Sequence, residues 1–83
     1  MNTCGDADDL FIDERRNRIY LSCGEGFIDV LAFQGESYVR IDRIPTALGA
    51  RTSLLVPSID RFILAVRSTG ATPAAIWVLR PAP

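Results

Sequence analysis

The chain has no histidine and no lysine, and all nine of its cationic side chains are arginine. Ser-His-Asp and Cys-His catalysis, Schiff-base chemistry, histidine-ligated metals and lysine-bearing phosphate loops are therefore outside its reach. Cysteine is scarce too: Cys4 and Cys23 form no CxxC and cannot build a four-cysteine zinc site. They either bridge in an oxidising setting or sit as two small buried hydrophobes, and the common burial of free cysteine favours the second. No apolar run exceeds about five residues, against the ~20 a membrane helix requires. No signal peptide is visible, since Met1 is followed by polar residues and an acidic cluster. The compartment stays open, and a net charge of −1 offers no basic face to a nucleic acid.

What is present is strand periodicity. At 83 residues with 48% hydrophobic composition, the chain holds one modest core and no second domain. Leu10 to Ile12 ends in a charged turn, and Arg18 to Cys23 reads as a strand rich in β-formers. Gly24-Glu25-Gly26 is a tight hairpin connection, too short to cradle a phosphate and followed by no helix. Phe27 to Phe33 follows, then a turn with Gly35, then Tyr38 to Ile44. In that last strand Val39 and Ile41 are expected on one side and Arg40 and Asp42 on the other, as in a half-exposed edge. Four strands joined by short turns predict an antiparallel meander, and no segment shows capped helical periodicity.

The second half repeats the first. Gly5 to Ile12 aligns with Gly49 to Val56 at an offset of about 44. Arg18-Ile19-Tyr20-Leu21 then aligns with Arg61-Phe62-Ile63-Leu64 at about 43, which implies one residue lost in the intervening turn. Ile28 to Leu31 matches Ile76 to Leu79 beyond a longer loop. A period of about 40–45 residues holding up to four strands is the spacing of β-propeller blades. The predicted architecture is all-β: one four-stranded blade over residues 8–45 and a three-stranded partial blade over 52–80.

Residues 62–66 (FILAV) and 75–79 (AIWVL) are continuously apolar, so these strands require cover on both faces. Leaving four large side chains bare on an outer face forfeits ~6–12 kcal/mol, comparable with the net stability of a domain. The unit is accordingly expected to join others, as a homo-oligomer closing a ring or beside flanking blades of a longer chain.

The strings Thr3 to Phe11 (TCGDADDLF), Arg18 to Val30 (RIYLSCGEGFIDV) and Gly49 to Leu54 (GARTSL) resemble the YVTN-repeat β-propeller family, over about residues 3–80. The resemblance implies roughly seven blades per ring, an exported protein, and a binding role with no agreed active site.

The candidate ligand-binding residues are Asp6, Asp8, Asp9 and Arg51. In a propeller, the segments leading into the innermost strands converge at the mouth of the central channel. Three carboxylates and a guanidinium there could hold a polar ligand, with Arg51 gripping a carboxylate or phosphate by two hydrogen bonds. The plainer reading, and the preferred one, is that the aspartates satisfy turn amides while Arg51 pairs with a neighbouring blade. Asp29, flanked by apolar residues, is expected to bond backbone amides or an arginine, and Trp77 is expected in the core. Residues 14–18 (ERRNR) read as a solvated turn. No cofactor or metal is expected. The function expected is non-catalytic binding or assembly. A propeller-type lactonase using Asp6, Asp8 and Asp9, or a remnant of a longer gene, are the alternatives.

Overall fold

Runs of β-formers punctuated by turn residues give, among the described residues, seven strands in two antiparallel sheets. A computed structural model describes residues 3–70 and 73–83. The first sheet is the expected meander, β1 (Ala7–Asp13), β2 (Arg18–Cys23), β3 (Phe27–Gln34) and β4 (Ser37–Pro45), in that spatial order. The second is β5 (Thr52–Val56), β6 (Arg61–Val66) and β7 (Ala75–Leu79). A single 3-10 turn, Pro57–Ile59, joins β5 to β6, and no α-helix occurs among the described residues.

Side chains alternate across a strand, so register assigns each residue to a face. In the first sheet, Phe11, Tyr20 and Val30 form one cross-strand row, and Ser22 and Ile28 belong to the same face. We call this face the front; Leu10, Leu21, Ile12 and Ile19 lie on the back. In the second sheet, Leu55, Phe62 and Leu79 form one row and Ser53, Leu64 and Trp77 the next on the same face. Leu54, Ile63 and Val78 lie on the opposite face. The front of the first sheet packs on the Phe62 face of the second. Tyr20, Ile28, Val30, Ala50, Phe62, Leu64 and Val66 make the core there, with Phe11, Leu55 and Leu79 against it. Phe62 receives Phe11 and Tyr20 edge-on, at 5.9 and 5.6 Å between ring centres.

The register corrects the expected alignment of the repeat. Leu10 faces Leu21 and Asp13 faces Arg18; in the second sheet Ser53 faces Leu64 and Val56 faces Arg61. Leu10 thus corresponds to Ser53, not Leu54, and one offset of 43 runs through both strands and the equally long turn between them. Backbone conformation agrees: Asn17 and Asp60 are both left-handed (φ 56° and 54°), as are Asp6 and Gly49 (57° and 81°). The similar letters of the two halves had hidden the one-residue slip, which places every side chain on the other face.

Three further expectations are overturned. Cys4 and Cys23 form a disulfide, with Cα atoms 5.8 Å apart, well inside the usual range. Leu21 and Phe27 surround it on the back of the first sheet. In β4 a bulge at Ile41 breaks the alternation, since Val30 faces Asp42 while Leu31 faces Arg40. Arg40 and Asp42 therefore lie on opposite faces, and Arg40 shares its side with Arg43. Trp77 lies on the edge strand β7, 36% exposed rather than in the core.

The molecule is thin, 44 × 30 × 17 Å, and its radius of gyration of 12.8 Å exceeds the ~11.8 Å expected for its length. Both outer faces carry bare apolar side chains: Leu10 and Ile12 on one, Leu54, Ile76 and Val78 on the other, all at least half exposed. Truncating Leu64, which is fully buried, to alanine should cost about 3–5 kcal/mol in chemical denaturation. Ile76→Ala, on the open face, should cost under about 1 kcal/mol if the protein is kept at dilutions where chains do not meet.

Candidate functional site

The segment leading into β1 and the one leading into β5 meet at one end of the seam between the sheets. Asp6 adopts a left-handed backbone that turns its carboxylate over Gly24, where any β-carbon would collide with it. Arg51 Nη1 donates to Asp6 Oδ2 at 3.0 Å. Asp9 Oδ2 accepts the Ser53 backbone N–H at 2.7 Å, and the Ser22 and Ser53 hydroxyls bond each other at 2.6 Å. Asp8 stands exposed at the β1 irregularity between Ala7 and Asp9. Of the four predicted residues, then, Asp6, Asp9 and Arg51 come together as links between the sheets, and Asp8 stands apart.

The opposite end of the seam holds a second polar junction that sequence reasoning passed over as a solvated turn. Arg16 donates to Asp60 through two parallel bonds of 2.8 and 2.7 Å, and to Asp13 Oδ2 at 2.9 Å. Tyr20 adds its hydroxyl to the same Asp13 oxygen at 2.7 Å. Burial pushes the Asp13 carboxyl up, but the Tyr20 and Arg16 bonds outweigh it and hold the group below its ordinary range. Asp60 is held low chiefly by Arg16, and Arg16 is raised in return. The hint was positional: Arg16 and Asp60 lie in matching turns, with opposite charge.

Behind the first sheet lies Asp29, with no exposed surface. It accepts the Cys4 backbone N–H at 2.8 Å and Arg43 through Nε and Nη2 at 2.7 and 3.1 Å, with Arg40 at 3.8 Å. Burial raises its pKa, yet these bonds and charges more than offset that and leave it depressed. The β4 bulge is what brings both arginines to this side. Asp29 therefore fixes the lead-in segment and the edge strand together, as a structural anion.

Two concavities among the described residues lie beside these junctions. A cleft of about 260 Å³ opens between the sheets at the β4 and β7 edges, lined by Ile41, Ile44, Phe62 and Leu79. Arg18 reaches across it to the Ala82 and Pro83 carbonyl oxygens at 2.7 and 2.8 Å. A more open recess of about 630 Å³ lies on the exposed face of the second sheet, between Arg51 and Arg67, with Thr52, Ala65 and Ile76 along its floor. It presents the Arg67 guanidinium to a hydrophobic surface, an arrangement suited to an acidic segment with apolar neighbours. Among the described residues, no three histidine, cysteine, aspartate or glutamate side chains converge as metal ligands. No family model, curated protein or solved structure matches the chain.

Asp29→Ala should destabilise by about 2–3 kcal/mol in urea titration, because two arginines lose a buried partner but can turn toward water. Since the folded-state pKa of Asp29 lies below the ordinary 3.8, its stabilisation is complete above that pH and fades as pH falls through the depressed value. Thermal midpoints measured below about pH 4 should therefore drop less steeply for Asp29→Asn than for the unsubstituted chain. Reducing the Cys4–Cys23 bridge, which spans 19 residues, should cost about 3 kcal/mol, read as a lower denaturant midpoint with dithiothreitol.

Proposed function

We propose that this chain is a non-catalytic assembly module built from two β-propeller-type blades, one of four strands and one of three, whose work is to stack against further sheets of its own kind. The observation that carries this reading is the fate of equivalent faces. Tyr20, Val30 and Ile28 are buried against the second sheet, and Phe11 is half-buried beside them. Their counterparts, Leu54, Ile63, Val78 and Ile76, form the corresponding face of that second sheet, where Leu54, Val78 and Ile76 lie open and Ile63 is half-buried. On the far side, Leu10, Ile12 and Ile19 of the first sheet are counterparts of Ser53, Leu55 and Phe62, which the seam covers.

The molecule thus presents at its two ends the two halves of an interface it already contains once. Covering Leu10, Ile12, Leu54, Ile76 and Val78 on these two faces, each at least half exposed, would return about 4–8 kcal/mol per junction. Such head-to-tail contacts close a ring when the rotation allows, three copies making six blades. The resemblance of residues 3–80 to the YVTN repeat points the same way. The hydrolase alternative draws no support from the lead-in carboxylates, since Asp6 and Asp9 already accept donors that hold the sheets together.

Light scattering over a dilution series should give masses that are multiples of 9.1 kDa and fall on dilution. Val78→Glu should shift the distribution to single chains. An unsubstituted chain that is monomeric and cooperatively folded at every concentration would overturn the proposal.

A further inference from the structure

Resting on that reading, we infer that the recess between Arg51 and Arg67 is the seat for the acidic lead-in of a second copy of this chain, with Arg67 facing Asp8 of that copy. The 43-residue correspondence makes the occupant specific. Inside the chain, the lead-in of the second sheet, with Arg51 and Ser53, lies against the front of the first, where it meets Asp6, Asp9 and Ser22. The counterparts of that first-sheet surface are Gly49, Thr52, Ala65, Arg67 in place of Gly24, and Ile76 in place of Ile28. All five line the open recess. The recess is the same surface as the filled seat, one sheet further on, and none of the described residues is seated in it.

Charge then decides what fits. In the first sheet the seat is floored by Gly24 and carries the carboxylate of Asp6. In the second the roles are exchanged: the Asp6 position is Gly49, and the Arg67 guanidinium lies where a β-carbon on Gly49 would go. The seat has changed from negative to positive. The segment that fills it changes in the opposite sense, because the counterpart of Arg51 is Asp8. Within the chain a carboxylate seat takes an arginine; between copies a guanidinium seat takes an aspartate. The same pairing rule is kept with its signs reversed. Apolar residues follow in step, since Leu10 and Ile12 beyond Asp8 would reach Leu54, Ile76 and Val78, all of which are at least half exposed.

A charge exchange tests this. Asp8→Arg and Arg67→Asp should each weaken self-association about tenfold by light scattering or sedimentation, and the double variant should recover to within about threefold of the unsubstituted chain. Both positions are exposed, so unchanged circular dichroism and thermal midpoint for dilute chains serve as the folding control. A mixing experiment checks direction independently. Leu10→Glu blocks one end and Val78→Glu the other, so each alone should be monomeric while an equimolar mixture stops at dimers. If the unsubstituted chain assembles but the charge exchange fails to recover, the seat is wrong and the stacking module stands; if the mixture stays monomeric, the head-to-tail stacking falls with it. If the unsubstituted chain never assembles, both fall.

Discussion

Everything in this structure depends on one pairing of unlike faces, the Tyr20–Ile28–Val30 surface of the first sheet against the Phe62–Leu64–Val66 surface of the second. Each sheet has an apolar face that the other covers. A three-stranded sheet that is apolar on both sides gains its stability only from what lies on it. The pairing sets the sheet separation, brings the two lead-in segments to one end of the seam and the two matching turns to the other, and so creates both polar junctions.

Those junctions sharpen what hydrophobic contact leaves loose. Apolar surfaces slide at low cost, whereas the two parallel Arg16–Asp60 bonds and the Asp9–Ser53 bond tolerate little displacement. With one junction at each end of the seam, both the rotation and the translation of one sheet over the other are fixed. Asp29 plays the corresponding part within the first sheet. Its bonds to Cys4 and Arg43 tie the lead-in and the edge strand to β3, and the Cys4–Cys23 bridge fastens the same lead-in to the end of β2. The back of the first sheet is thereby stiffened beside the surface that stays uncovered.

Much of the fold was legible in the residues alone. Strand segments, hairpin turns and the doubled organisation follow from β-formers punctuated by glycine and charge, which are local properties. What escaped was relational. Leu10 resembles Leu54 as a letter, but pairing geometry makes it equivalent to Ser53, and only hydrogen-bond register reveals that. The bulge at Ile41 leaves no mark in composition, yet it alone carries Arg40 round to the side of Arg43. Cys4 and Cys23 are ordinary small hydrophobes until the lead-in is laid against β2. Asp6, Asp9 and Arg51 do converge, but whether a carboxylate waits for a ligand or already holds a neighbour depends on which donor lies opposite. Arg67 drew no attention because its significance lies in replacing a glycine at an equivalent point in another sheet.

That replacement bears on what the repeating unit is. If the two sheets were interchangeable, any number of them could be stacked and each junction would be alike. They are not interchangeable: the first carries Asp6 over Gly24 and offers Asp8, while the second carries Arg67 beside Gly49 and offers Arg51. A first sheet following a first sheet would set Asp6 against Asp8, and a second following a second would set Arg67 against Arg51. Both mismatches bring like charges together at the edge of an apolar contact, where repulsion is weakly screened. In the proposed stack, alternation is the one order that avoids both, and the sheets would tile in pairs. On the proposed reading, an assembly of this chain contains an even number of blades and presents a single direction around the stack, because the charge pattern distinguishes its two ends as firmly as the shapes of the faces do.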